Sequence, residues 1–169
     1  NIPLFTNDER AHVGTVYKKQ SKEKAIEVGY KYVMPKLNDF IVESEKVAVD
    51  GEVIVHCWRG GMRSKSFAQH LSENGFSTVY VIEGGYKTFR RFALESFTTD
   101  AKICVIGGYT GSGKTHILNR LFKNGDQIID LEGTANHKGS AFGRIGNGEQ
   151  PSIEQFENNL FWMWKELDY

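Results

Sequence analysis

Apolar residues along the first half of this chain switch between two periods. Over residues 21–44, Ala25, Val28, Tyr32, Leu37, Phe40 and Ile41 fall at the 3.6-residue spacing of a helix face, interrupted at Pro35. The run 53–55 is too brief for a helix and reads as a buried strand. Phe67, Ala68 and Leu71 restore the helical spacing up to Asn74-Gly75, a pair suited to ending a helix. Residues 79–82 read as the next strand. Glu83-Gly84-Gly85-Tyr86 then reads as a turn into a helix bearing Phe89, Phe92, Ala93 and Phe97. Strand, helix, strand, helix predicts an α/β domain, a parallel sheet with helices on its faces.

Polar Thr98-Thr99-Asp100 breaks the pattern, and the domain boundary is placed there, giving units 1–98 and 99–169. In the second unit the spacing predicts a strand over 102–106, a helix over 114–123 stopped by Asn124-Gly125, and a strand over 127–131. A glycine-punctuated loop follows over 132–150. Pro151-Ser152-Ile153-Glu154-Gln155 has capping-box spacing and opens a helix carrying Phe156, Leu160, Met163 and Leu167, predicted to continue to Tyr169. Two strands are fewer than the roughly five that such a sheet takes, so this unit reads as the front of a domain. The opening Asn1-Ile2-Pro3-Leu4 has no Met, and the chain reads as a piece of a longer protein.

Composition narrows the choices. Lys plus Arg number 21 and Asp plus Glu number 21, so a polyanion must be held by local clusters rather than by the whole surface. Arg59/Arg63/Lys65, Lys87/Arg90/Arg91 and Lys138/Arg144 are the candidates, the last two reading equally well as solvated surface. No stretch is apolar for long enough to cross a membrane as a helix. The two cysteines, Cys57 and Cys104, show neither CxxC nor Cys/His ligand spacing, which argues against a disulfide scaffold or structural zinc. Cys104, within an apolar run, reads as a small core residue. A reducing, cytoplasmic setting is expected.

The predicted strand ending at His56 runs into Cys57-Trp58-Arg59-Gly60-Gly61-Met62-Arg63-Ser64 and then a helix. A cysteine at that joint faces the free N–H groups and positive dipole end of the helix. Gly60 and Gly61 let the loop curl, and Met62 and Ser64 complete an anion cradle. Arg63 adds a full charge, and Arg59 stands beside it. These features favour thiolate over thiol. His56-Cys57 followed by Arg63-Ser64 satisfies the His-Cys-x5-Arg-Ser spacing of cysteine phosphatases. Transfer of sulfur or selenium on Cys57, as persulfide or perselenide, uses the same cradle. The spacing does not separate them, although no nearby carboxylic acid stands out as a phosphatase's proton donor.

Gly108-Tyr109-Thr110-Gly111-Ser112-Gly113-Lys114-Thr115 matches the phosphate-loop pattern between a predicted strand and a predicted helix. Its N–H groups would cradle a diphosphate and Lys114 would reach the outer phosphate. The Thr115 hydroxyl would be placed to ligate Mg²⁺. Asp130 reads as a metal-assisting or basic carboxylate, or equally as a loop cap.

The thiol loop, the turn at residues 83–86 and the helix after it resemble a rhodanese domain, with a thiol loop one residue longer than the usual sulfurtransferase loop. The fused phosphate loop, together with Asp130-Leu131-Glu132-Gly133 and His137-Lys138-Gly139-Ser140-Ala141-Phe142-Gly143, resembles the bacterial tRNA 2-selenouridine synthase family. So does the opening with Asp8-Glu9-Arg10 and Val13-Gly14. The resemblance implies a rhodanese-like domain lacking its first strand, followed by the start of a P-loop NTPase-like α/β domain. It also implies selenium replacing the sulfur of wobble 2-thiouridine in tRNA, with selenophosphate as donor. Geranyl diphosphate is implied as a co-substrate that first S-alkylates the base. Cys57 would correspond to the family's selenium-handling cysteine, and residues 108–115 to its phosphate loop. His137, Lys138 and Arg144 fall in its glycine-rich segment, where they would touch substrate phosphates or lie in an exposed loop. Trp162 and Trp164 read as core or interface.

Overall fold

The computed structural model describes residues 2–48, 50–140, 143, 146 and 148–168. The chain divides into two compact units, 1–88 and 89–169.

In the first unit, α1 (Asn7–Lys19) is an element the apolar spacing did not announce. Thr6 starts it with a complete capping box: its hydroxyl accepts the Glu9 N–H, and the Glu9 carboxylate accepts the Thr6 N–H. Glu9 also takes the Lys36 ammonium at 2.5 Å, tying the helix start to a distant turn. α1 packs on α2 (Lys22–Val33), capped by the Ser21 hydroxyl. Pro35 sits in a short 3₁₀ turn, Met34–Lys36, where its missing N–H costs no ladder bond, and α3 (Leu37–Glu45) follows. The predicted interruption of the 21–44 helix is therefore a 3₁₀ joint.

β1 (Glu52–Val55) and β2 (Thr78–Val81) pair in parallel, Glu52 opposite Thr78 and Val55 opposite Val81, with α4 (Met62–Glu73) as the crossover. Val55, Ala68, Leu71 and Phe76 form one buried cluster with Ala48, flanked by Ile41, Val53, Phe67, Val79 and Val81. The sheet buries one face only. Ile54 is 63% exposed and Tyr80 57%, which corrects the expectation of a fully buried first strand. Alternation along β1 is the physical reason, because successive side chains point to opposite faces and α4 covers one. α4 stops at Asn74, with Gly75 at φ 96°.

α5 (Tyr86–Ser96) begins in the first unit and continues into the second. The second unit otherwise holds α6 (Lys114–Lys123), the short α7 (Leu131–Thr134) and α8 (Ile153–Lys165). Its core is aromatic. Phe161 is 2% exposed and meets Phe89 and Phe92 edge-on, and buried Trp164 donates its indole N–H to the Ser96 carbonyl. Trp162 is exposed and stacks on Phe89.

Three expectations for this unit are corrected. Residues 102–106 and 127–130 form no strand, because a strand exists only by pairing and no described segment lies beside either one in a ladder. Cys104 is accordingly exposed instead of buried, as are Ile103 and Val105. The last helix ends at Lys165. Beyond it, the Asp168 N–H is taken by the Gln127 side-chain carbonyl at 2.7 Å, which draws the chain off the helical path.

Candidate active site

The thiol loop is built by interlocking two glycine-rich segments. The Tyr86 and Lys87 N–H groups, at the start of α5, donate to the carbonyls of Cys57 and Trp58. This satisfies the loop's outward carbonyls and leaves its N–H groups facing inward. Gly60 lies at φ 61°, and a Cβ there would sit 2.7 Å from the Gly85 nitrogen. Gly85, at φ 66°, has its own hypothetical Cβ only 2.2 Å from the Cys57 carbonyl oxygen. Each glycine is required by the other's backbone, not merely by a tight turn. Tyr86 braces the outside, stacked on His56 and tilted against Trp58.

Cys57 Sγ sits at the N-terminus of α4, accepting the Gly61 N–H at 3.3 Å and lying 3.3 Å from the Ser64 hydroxyl. Ser64 is buried and its hydroxyl also lies 3.0 Å from the Gly61 carbonyl, so its position is fixed and its one proton turns to the sulfur when the thiol ionises. Partial burial pushes the thiol pKa up. The Ser64 hydroxyl and the backbone N–H groups of Arg59, Ser64 and Gly61 outweigh that and bring it down to about 7. The lowering comes from hydrogen bonds to the sulfur. Arg59 and Arg63 are both exposed beside the thiol, and Met62 is the first residue of α4. The thiol can therefore ionise near neutrality in a cradle of N–H donors open to an anionic reactant.

In the second unit the phosphate loop has three residues that only glycine holds comfortably: Gly108, Gly111 and Gly113 lie at φ 157°, 79° and 87°. A Cβ at Gly108 would lie 2.7 Å from the Ser112 hydroxyl. Gly113 is the N-cap of α6, so the helix N–H groups start at Lys114. Tyr109 and Thr110 lie in the exposed arc of the loop. The Lys114 ammonium donates to the Gly108 and Tyr109 carbonyls, at 3.1 and 3.3 Å, and lies 3.8 Å from the Glu132 carboxylate. Glu132 is a residue the sequence reading passed over. Its signal is spacing: it stands two residues after Asp130, and α7 turns it back toward the loop.

Asp130 accepts the Gly133 N–H at 2.9 Å as the N-cap of α7. The His137 ring accepts the Gly139 N–H at 3.0 Å, and Lys138 is exposed. Arg144 lies outside the described residues. Arg90, nominated with Lys87 and Arg91 for polyanion binding, is paired with Glu157, and Arg91 lies 4.0 Å from Glu95. That cluster is therefore partly neutralised. Mg²⁺ keeps several waters and takes few protein oxygens. The exposed Thr115 hydroxyl in the first turn of α6 fits such a ligand, and the described residues contain no group of three or more His, Cys, Asp or Glu that would build a protein-only cage.

Comparison with known proteins agrees with this two-part construction. A family model described as a rhodanese-like domain matches residues 14–92, and one described as the tRNA 2-selenouridine synthase AAA domain matches 101–168. The fold is thus a rhodanese domain followed by the start of a P-loop-like AAA domain. Curated tRNA 2-selenouridine synthases from Shewanella frigidimarina and Hahella chejuensis are 40% and 41% identical to it over 95% of this chain. The match spans 43% and 42% of their respective lengths, so the chain corresponds to less than half of those relatives. The crystal structure of the N-terminal domain of a Clostridium difficile protein named for ATP/GTP binding is also similar. It shares 45% identity and a TM-score of 0.52 over 56% of this chain and 73% of that one. Over 95% of its length the chain is similar to tRNA 2-selenouridine synthases, and its second half matches the AAA domain described for them.

Proposed function

We propose that the protein to which this chain corresponds replaces the sulfur of wobble 2-thiouridine in tRNA with selenium from selenophosphate, by way of an S-geranyl intermediate made from geranyl diphosphate. The thione sulfur is a poor leaving group, and alkylation converts it to a thioether that departs as a thiol. Overall, S-geranyl-2-thiouridine, selenophosphate and water give 2-selenouridine, geranyl thiol and phosphate, with no net change in oxidation state.

Cys57 is assigned as the selenium-handling nucleophile, with Arg59, Arg63 and the loop amides holding the anionic donor. Lys114 and the N–H groups of residues 108–115 are assigned to the diphosphate, whose departure needs charge neutralisation. Mg²⁺, held through Thr115, would supply further neutralisation there. A cytoplasmic setting suits an ionisable thiol acting on tRNA, and no described helix is long and apolar enough to cross a membrane.

The observation that carries this reading is the Cys57 thiol held by the Gly61 N–H and the Ser64 hydroxyl, in a chain that also carries the family's phosphate loop. In the full-length protein, Cys57→Ser is expected to abolish selenouridine in tRNA, measured by mass spectrometry of nucleosides. Normal selenouridine content in that variant removes Cys57 from its role. Hydrolysis of aryl phosphates that disappears with Cys57→Ser would favour phosphatase chemistry instead.

A further inference from the structure

The segment after the phosphate loop is folded around one carboxylate. Asp130 caps α7, the Glu132 carbonyl accepts the His137 N–H at 3.0 Å, and the His137 ring accepts the Gly139 N–H at 3.0 Å. Gly139 stands at φ 67°, where a Cβ would collide with the Glu132 carboxylate, so the turn closes directly on that group. The same carboxylate lies 3.8 Å from the Lys114 ammonium, with the Glu132 and Lys114 side chains 37% and 21% exposed. Lys114 donates in addition to the Gly108 and Tyr109 carbonyls. The charge that the loop's lysine offers an anion is therefore already engaged. Two of its partners are carbonyls of its own loop, and the third is a carboxylate that folding brings from a separate element. A phosphate entering the loop must take Lys114 from Glu132, and a phosphate leaving it returns Lys114 to a waiting partner.

We propose that Glu132 is a positioning residue acting through Lys114: it draws the ammonium back when a bound phosphate compound departs, and so sets how fast the loop empties. Without it the lysine has only carbonyl dipoles to return to, and an anion held by a full charge and by helix N–H groups leaves slowly. While the anion is bound, the displaced carboxylate is left beside it, and that repulsion works in the same direction. The inference rests on the assignment of residues 108–115 to a diphosphate made above. In that reading the C–O bond of geranyl diphosphate breaks as the S–C bond forms. The base gives up its N–H proton to solvent, and inorganic diphosphate is left in the loop. Glu132 speeds the clearance of that product.

The test is titration calorimetry of the full-length protein with inorganic pyrophosphate, together with a chase of labelled pyrophosphate by unlabelled to read its departure. Glu132→Gln removes the charge and keeps the shape. It should bind pyrophosphate about two- to fivefold more tightly, the range of a partly exposed ion pair. The gain should appear as slower departure, and it should shrink at high salt, where such a pair is screened. Glu132→Asp keeps the charge and should stay within about twofold of the parent, because attraction falls only gradually with distance. A merely structural carboxylate gives the opposite sign, since a disturbed loop binds anions less well. Equal or weaker binding by Glu132→Gln, where the parent binds, overturns the proposal and leaves the phosphate loop assigned. A gain that high salt leaves undiminished overturns it too. A parent that binds no pyrophosphate overturns both. The expected gain in a protein that makes no S-geranyl-2-thiouridine supports the proposal while removing geranyl diphosphate as the loop's ligand.

Discussion

At the scale of single residues, the reactive thiol depends on a serine. Ser64 is buried within the first turn of α4, and its hydroxyl leads the hydrogen bonds that lower the Cys57 pKa to about 7. Alkylation of Cys57 by iodoacetamide should therefore rise through a midpoint near pH 7. Ser64→Ala should move that midpoint upward toward the ordinary thiol value of about 8.5, and an unchanged midpoint would show that the N–H groups suffice. The sign for stability follows from the same shift. The folded-state pKa is depressed, so the thiolate's hydrogen bonds contribute fully above the unfolded value, and that contribution fades as pH falls through about 7. Cys104 is exposed, so the labelled site must be identified by peptide mapping.

At the scale of elements, legibility in the sequence tracked whether an element is held by its own residues. α6 was predicted at its observed limits because glycines start it and Asn124-Gly125 ends it, all local signals. The α2–α3 break and the α4 stop were visible for the same reason. α1 was missed because its apolar stripe is weak and Val16 is its only buried residue, while its capping box carries the signal. Thr6→Ala should accordingly cost about 1 kcal/mol in denaturant unfolding, and no loss would mean the Glu9–Lys36 pair holds the start alone. The strands expected over 102–106 and 127–131 failed for the opposite reason. Their composition was right, but pairing is not a property of the segment. In the sites, both loops could be read from spacing, whereas Glu132, Tyr86 and the mutual fit of Gly60 and Gly85 depend on residues brought together by folding. Lys114→Ala should weaken geranyl diphosphate binding at least about tenfold, as expected when a charged hydrogen bond to a phosphate is lost. An unaffected titration would take that ligand away from the phosphate loop.

At the scale of the whole chain, the two units draw on different kinds of core. The first buries a mainly aliphatic cluster, joined by Phe76, between a two-stranded sheet and α4, with Leu71 fully enclosed. The second buries an aromatic cluster around Phe161, with α6 contributing no buried residue. Phe161→Ala should destabilise by about 3–5 kcal/mol. Hydrogen exchange should quicken along α8, whereas slow exchange there would show that the aromatic contacts are dispensable. The curated synthases it matches are more than twice its length, and the tRNA chemistry proposed above is that of a protein of their size. One detail of the thiol loop has a practical consequence for anyone altering it. Because Gly60 and Gly85 occupy each other's space, lengthening the cradle or swapping in a loop from another protein will fail if the far turn is left as it is. The two segments have to be redesigned as a matched pair, like the halves of a mould.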